Sequence, residues 1–221
     1  MTHGTGGALA LVGDSLTQGG DWAVLLPGED ARNFGVAGDT TDDLLARLDA
    51  VIDSRPDTLA LLIGTNDLAW RRSAEHVVRN TETILVTLRK ELPEARVLMQ
   101  SVLPRGHDFA EQIRDINRHL WQFAPTVHAG WLDLWPALAL EDGELNPAFS
   151  EDRLHLNDEG YRAWAGELVP GLERLRQLPP SSRAISPSPT SAAPPKPTPP
   201  DPAAPKPRMF SPVSPAMSSL S

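Results

Sequence analysis

Ser15 ends a short apolar run in "ALALVGDSLTQGG", residues 8–20, where buried-strand residues give way abruptly to Gly13-Asp14-Ser15. A serine hydroxyl is a poor nucleophile until a base takes its proton, and histidine is the usual base near neutral pH. Of the six histidines, His155 in "EDRLHLNDEGY" has Asp152 three residues before it. That spacing lets a carboxylate reach the imidazole Nδ1–H while Nε2 faces outward, which fixes the tautomer and stabilises the imidazolium. His107, adjacent to Asp108, is the rival base, and spacing favours His155. His3 lies near the start, His76 and His119 lie in helical patterns, and His128 opens a strand.

Acyl transfer also needs donors for a developing oxyanion. Asn66 offers a side-chain NH₂ in "IGTND", and Ser15 offers its own backbone N–H. The glycine block "NFGVAGDTT" supplies Gly35 and Gly38, either of which presents an N–H without a side chain to obstruct approach. Asp14, Trp70 and Arg105 are candidate substrate contacts, as are Arg71 and Arg72, because all five follow predicted strands. A second reading takes Asp14, Asn66, Asp67, Asp152 and His155 as ligands for metal-assisted phosphoester hydrolysis, although one histidine is few for such a site. A third is a binding module of the same fold without turnover. Gly4-x-Gly6-Gly7 precedes a strand, so it is no phosphate cradle.

These residues need a scaffold that brings distant segments to one edge. Apolar runs at 8–13, 31–36, 58–64, 96–102 and 128–134 read as strands, continuous enough to be buried on both faces. Between them lie helical faces: Leu44, Leu45, Leu48, Val51 and Ile52; Val77, Thr81, Ile84, Leu85 and Leu88; Phe109, Ile113, Ile116, Leu120 and Phe123. A last helix carries Tyr161, Trp164, Leu168, Leu172 and Leu175, with a bend expected at Pro170. Thr40 and Asp43 have capping-box spacing, and Asn157 before Asp158 and Glu159 marks a helix start. Strand–helix alternation predicts an α/β, three-layer, doubly wound parallel sheet whose ligands bind beyond the strand carboxyl ends. The candidates gather at that rim.

Fourteen of the 22 prolines fall in residues 179–221, which lack apolar periodicity, so this stretch reads as a disordered tail and residues 1–178 as the folded domain. The tail carries four basic residues against one acidic, so of the net −9 the domain holds about −12. That charge argues against nucleic acid and anionic membranes as partners. There is no cysteine, hence no disulfide and no thiolate metal site. No run is long enough for a signal peptide or a membrane span. Cytoplasmic is the expected location, with a small-molecule ester as substrate and no cofactor or metal. A homodimer stays open, and the sequence names no partner for the tail.

The blocks "VGDSLT", "NFGVAGDTT", "IGTND" and "DRLHLNDEGY" together resemble those of the SGNH (GDSL-type) hydrolases. Their wording, with "LPRG", is most similar to the group containing the catalytic subunits of platelet-activating-factor acetylhydrolase. The resemblance implies a flavodoxin-like fold of about five strands and a serine esterase with an acyl-enzyme intermediate. It implies Ser15 as nucleophile, Asp152 and His155 completing the triad, and an oxyanion hole from Ser15, Gly38 and Asn66. It selects Gly38 over Gly35 and leaves Asp14 to brace the nucleophile loop. The loop "DLAWRRSAE" matches poorly. No G-x-S-x-G is present, so the sharp elbow of the α/β-hydrolases is not expected. The absence of a lid-like apolar insertion points to short acyl groups.

Overall fold

The five apolar runs form five strands in a computed structural model that describes residues 7–178. They are β1 (Leu9–Gly13), β2 (Ala31–Gly35), β3 (Thr58–Leu62), β4 (Arg96–Gln100) and β5 (Gly130–Leu132). The sheet order is β2-β1-β3-β4-β5 and every adjacent pair is parallel. From β1 the chain steps to β2 on one side and then returns to β3 on the other. The resulting switch point lies between the carboxyl ends of β1 and β3, the place where open α/β sheets take their ligands. Ser15 and Asn66 follow those two strands.

The period-2 alternation of a strand sorts its side chains into two cores. Ala10, Val12, Leu59, Leu61, Val97 and Met99 face one layer of helices. That layer holds α3 (Thr41–Ala46), α4 (Leu48–Asp53), α6 (Ala74–Glu91) and α7 (Ala110–Phe123). Leu9, Leu11, Ala60, Leu62 and Leu98 face the other. There lie α1 (Ser15–Gln18), α2 (Trp22–Leu25), α8 (Trp135–Leu138) and α9 (Asp158–Gln177). A short α5 (Thr65–Ala69) follows β3. Trp164 of α9 is fully buried, and its indole N–H donates to the Gln100 side chain at 2.7 Å, tying α9 to the end of β4.

The helix ends carry the expected chemistry. Thr40 and Asp43 form a reciprocal capping box at α3, and the Asn157 side chain accepts from Glu159 N–H and Gly160 N–H at α9.

Three expectations need correction. The face from Leu44 to Ile52 belongs to two helices rather than one, because Arg47 (φ −115°, ψ 12°) breaks the run. β2 is an edge strand, so Arg32 and Asn33 are exposed instead of buried on both faces. β5, the other edge, has three residues where seven were expected, since a 3₁₀ turn holds the chain to Val127 and His128 then adopts a left-handed conformation. α9 continues as one helix through Pro170. The proline-rich stretch 179–221, like residues 1–6 with His3 and Gly4, lies outside the described residues. Among the described residues no helix is long and apolar enough to cross a membrane.

Candidate active site

β1 ends at Gly13, where an added Cβ would lie 2.2 Å from the Leu62 carbonyl, so nothing larger than glycine fits against β3. Asp14 then caps α1: its Oδ1 accepts from Leu16 N–H at 3.0 Å. Capping turns Ser15 into the first helical residue and leaves its side chain half-buried at the rim. The Tyr161 hydroxyl of α9 donates to the Leu16 carbonyl at 2.9 Å and holds this turn from the opposite side.

His155 faces Ser15 across this rim, with Ser15 Oγ 3.3 Å from His155 Nε2. His155 Nδ1 lies 2.7 Å from Asp152 Oδ2. An ionised carboxylate can only accept, so Nδ1 carries the proton and Nε2 presents its lone pair to the serine. The hydrogen bond from His155, with others from the backbone N–H groups of His155 and Leu154, holds the Asp152 carboxyl well below the usual carboxylate range. Asp152 Oδ1 accepts those two N–H groups at 2.7 and 2.9 Å. Arg153, between the pair, has φ +60°, a conformation that folds the loop back so that one carboxylate meets all of these donors.

Three N–H sources lie on the neighbouring loops. Val36 to Asp39 form a turn closed by the Asp39 N–H to Val36 carbonyl bond at 3.2 Å, with Gly38 at φ +85° in the third position. A positive φ there is what a type II turn demands, and glycine adopts it without strain. The backbone N–H groups of Ser15 and Gly38 meet no acceptor among the described residues. Asn66 Nδ2 donates to the Asp39 carbonyl at 2.9 Å, which orients its amide and leaves a second N–H free.

Asp14 is buried with no exposed surface, and its Oδ2 has no hydrogen-bond partner. Burial, opposed by the Leu16 hydrogen bond and assisted by the Asp39 and Asp67 charges, pushes its carboxyl up to about 7. The side chain is thus enclosed next to Ser15, out of contact with solvent. Arg105 donates to the Thr65 carbonyl at 2.8 Å and packs its guanidinium 4.3 Å from the Phe109 ring centre. Trp70 is 73% exposed, and Arg71 beside it has φ +57°. Arg72 lies 3.8 Å from Asp42 Oδ2. His107 opens an exposed 3₁₀ turn, His107–Phe109.

Of the five residues read as possible metal ligands, Asp152 and His155 pair with each other, while Asp67 spends both oxygens on Thr41, one on its N–H at 2.9 Å and one on its hydroxyl at 2.6 Å. Asp42, Asp67 and His76 do lie close together among the described residues, but Asp42 is already bonded to His76 and Asn80.

Two contributors escaped the sequence reading. Ser150 is buried beneath the acid–base loop, and its hydroxyl donates to Asp152 and accepts from Leu154 N–H. Arg47 reaches from the α3–α4 break to the ends of β1 and β2. Arg47 has no chain-local signal, since it meets these carbonyls through the tertiary fold, whereas Ser150 bonds residues two and four along, so the Ser-x-Asp spacing was a local signal that could have found it.

Comparison with known proteins agrees with this fold. The model of the GDSL-like lipase/acylhydrolase family matches residues 11–163. Platelet-activating factor acetylhydrolase IB subunit alpha1 of Rattus norvegicus is 31% identical over 164 residues, covering 69% of each chain. The alpha2 subunit from the same organism is 29% identical over 160 residues, covering 68% of this chain and 69% of its own. Among solved structures, a GDSL-like lipase from Bacteroides thetaiotaomicron superposes with a TM-score of 0.64 at 22% identity, over 76% of this chain and 88% of that one. An acetylxylan esterase from Geobacillus stearothermophilus gives 0.64 at 19% identity, over 78% and 96%. At these identities the structural matches speak for the fold.

Proposed function

This chain belongs to the GDSL-like lipase/acylhydrolase family and is a hydrolase of esters, and from that premise we propose that it cleaves short-acyl carboxylic esters through an acyl-enzyme on Ser15. His155 Nε2 takes the hydroxyl proton as Oγ attacks the ester carbonyl. Asp152 stabilises the imidazolium that forms, and the N–H groups of Ser15, Gly38 and Asn66 receive the oxyanion. Collapse of the tetrahedral adduct passes the proton from His155 to the departing alkoxide. Water activated by the same imidazole then releases the carboxylic acid. No metal or cofactor enters this scheme.

The observation that carries this reading is the unbroken line from Ser15 Oγ to His155 Nε2 at 3.3 Å and from Nδ1 to Asp152 Oδ2 at 2.7 Å. A hydroxyl–imidazole distance on the long side is common where no substrate is bound. The names of the acetylhydrolase relatives support a small acyl group. A groove of about 860 Å³ opens between α2 and α9, lined by Val24, Leu156, Tyr161 and Val169. A cytoplasmic location belongs to this reading, and a chain without cysteine fits a reducing compartment.

Ser15→Ala tests the assignment. The variant is expected to lose hydrolysis of p-nitrophenyl acetate and to resist covalent labelling by a fluorophosphonate; full activity would remove Ser15 from the mechanism.

A further inference from the structure

The donors read as the oxyanion hole sit on three separate segments, after β1, β2 and β3, and one side chain bonds to the supports of all three. Arg47 Nη2 donates to the Gly13 carbonyl at 3.0 Å and to the Phe34 carbonyl at 2.9 Å. These carbonyls close the carboxyl ends of β1 and β2, two residues before Ser15 and four before Gly38. Arg47 Nε pairs with the Asp39 carboxylate. Asp39 follows Gly38, and its carbonyl accepts the Asn66 amide at 2.9 Å. The path from the nucleophile turn through the glycine turn to the asparagine therefore passes through Arg47 and Asp39.

We propose that Arg47, with Asp39 as its counter-ion, is a positioning residue that sets the spacing of the Ser15, Gly38 and Asn66 donors. The proposal rests on those three groups being the oxyanion donors. Three observations support it. The helical pattern from Leu44 to Ile52 favours a continuous helix, yet the chain breaks at Arg47, and from that break the side chain reaches the sheet. The ion pair is shielded, its side chains 24% and 11% exposed, so water competes weakly for it. The three contacts also use the planar geometry of a guanidinium, which a lysine ammonium cannot reproduce.

Oxyanion stabilisation depends on donor placement to within about half an ångström, and misplacement on the order of 1 Å costs about 10²-fold in rate. Arg47→Lys keeps the charge and loses the fork. It is expected to lower kcat about 10²-fold on p-nitrophenyl acetate while KM stays within about twofold. Affinity for an arylboronic acid, which forms a tetrahedral adduct on the serine, falls in parallel. The midpoints of the pH–rate profile stay in place, because Asp152 and His155 are untouched. Asp39→Asn, which preserves the carbonyl that Asn66 uses, shows the same signature about tenfold weaker.

Asn66→Ala is the reference for the underlying reading. If Asn66→Ala loses kcat and boronate affinity while Arg47→Lys behaves as wild type, the role of Arg47 is refuted and the oxyanion assignment stands. If Asn66→Ala itself is fully active, the assignment falls and the proposal with it. Loss of kcat that merely follows loss of folded protein in both Arg47→Lys and Asp39→Asn, by circular dichroism and Tm, also overturns the proposal.

Discussion

Asp14 carries its carboxyl, one residue ahead of Ser15, into an interior that leaves it no exposed surface and gives Oδ2 no donor. Its proton is held to about pH 7 in the folded chain, against an ordinary value of 3.8. Between those values the folded state binds more protons than the unfolded one, so stability falls as pH rises from about 4 to about 7. The penalty is on the order of a few kcal/mol when complete. Asp14→Asn keeps an oxygen for Leu16 N–H and abolishes the titration, so its Tm should drop less than that of the wild type between pH 5 and pH 8. Parallel Tm curves for the two proteins would contradict this account. Asp152 has the opposite sign. Its folded pKa is depressed, so its contribution is present above about pH 4 and disappears as the solution is acidified through the folded value. In catalysis Asp152→Asn loses the acceptor that fixes the imidazole tautomer and is expected to lower kcat by about 10³- to 10⁴-fold, measured on the same acetate ester.

At the scale of elements, the acid–base loop owes its position to the start of α9. Asn157 caps that helix through Glu159 and Gly160 N–H, and its Nδ2 donates to the Ala148 carbonyl at 2.9 Å, pinning the segment before Ser150. Asn157→Ala should cost about 1 kcal/mol of unfolding free energy for the cap, read by urea denaturation. It should also lower kcat, because the loop loses its tie on the far side of His155. An unchanged kcat would mean that Asp152 and Ser150 hold the loop unaided.

For the molecule as a whole, the parallel sheet places chain-distant segments at the carboxyl ends of its strands, with the central β1 and β3 buried on both faces. Gln100 and Trp164 link the sheet to α9. Trp164→Phe keeps most of the buried volume and strands the Gln100 oxygen, an unpaired acceptor expected to cost about 1–3 kcal/mol. Calorimetry on the two proteins provides the check. A net charge of −9 further predicts no mobility shift of labelled duplex DNA at physiological salt, since the long-range field repels phosphate.

Much of this was legible in order along the chain because it is local. Continuous apolar runs mark β1 and β3, Thr40 with Asp43 marks a cap, and Asp152 with His155 lies within one turn of chain, so each pattern is set by neighbours a few residues apart. What the tertiary structure alone decided depends on neighbours far away. The burial of Asp14, the helix break at Arg47 and the exposure of β2 each follow from which strand lies at an edge and which carbonyl is left facing a side chain. A sequence carries the period of an element within the element itself, whereas burial and hydrogen-bond partnership arise only when separate elements pack, and it is that packing which turns four motifs into one site.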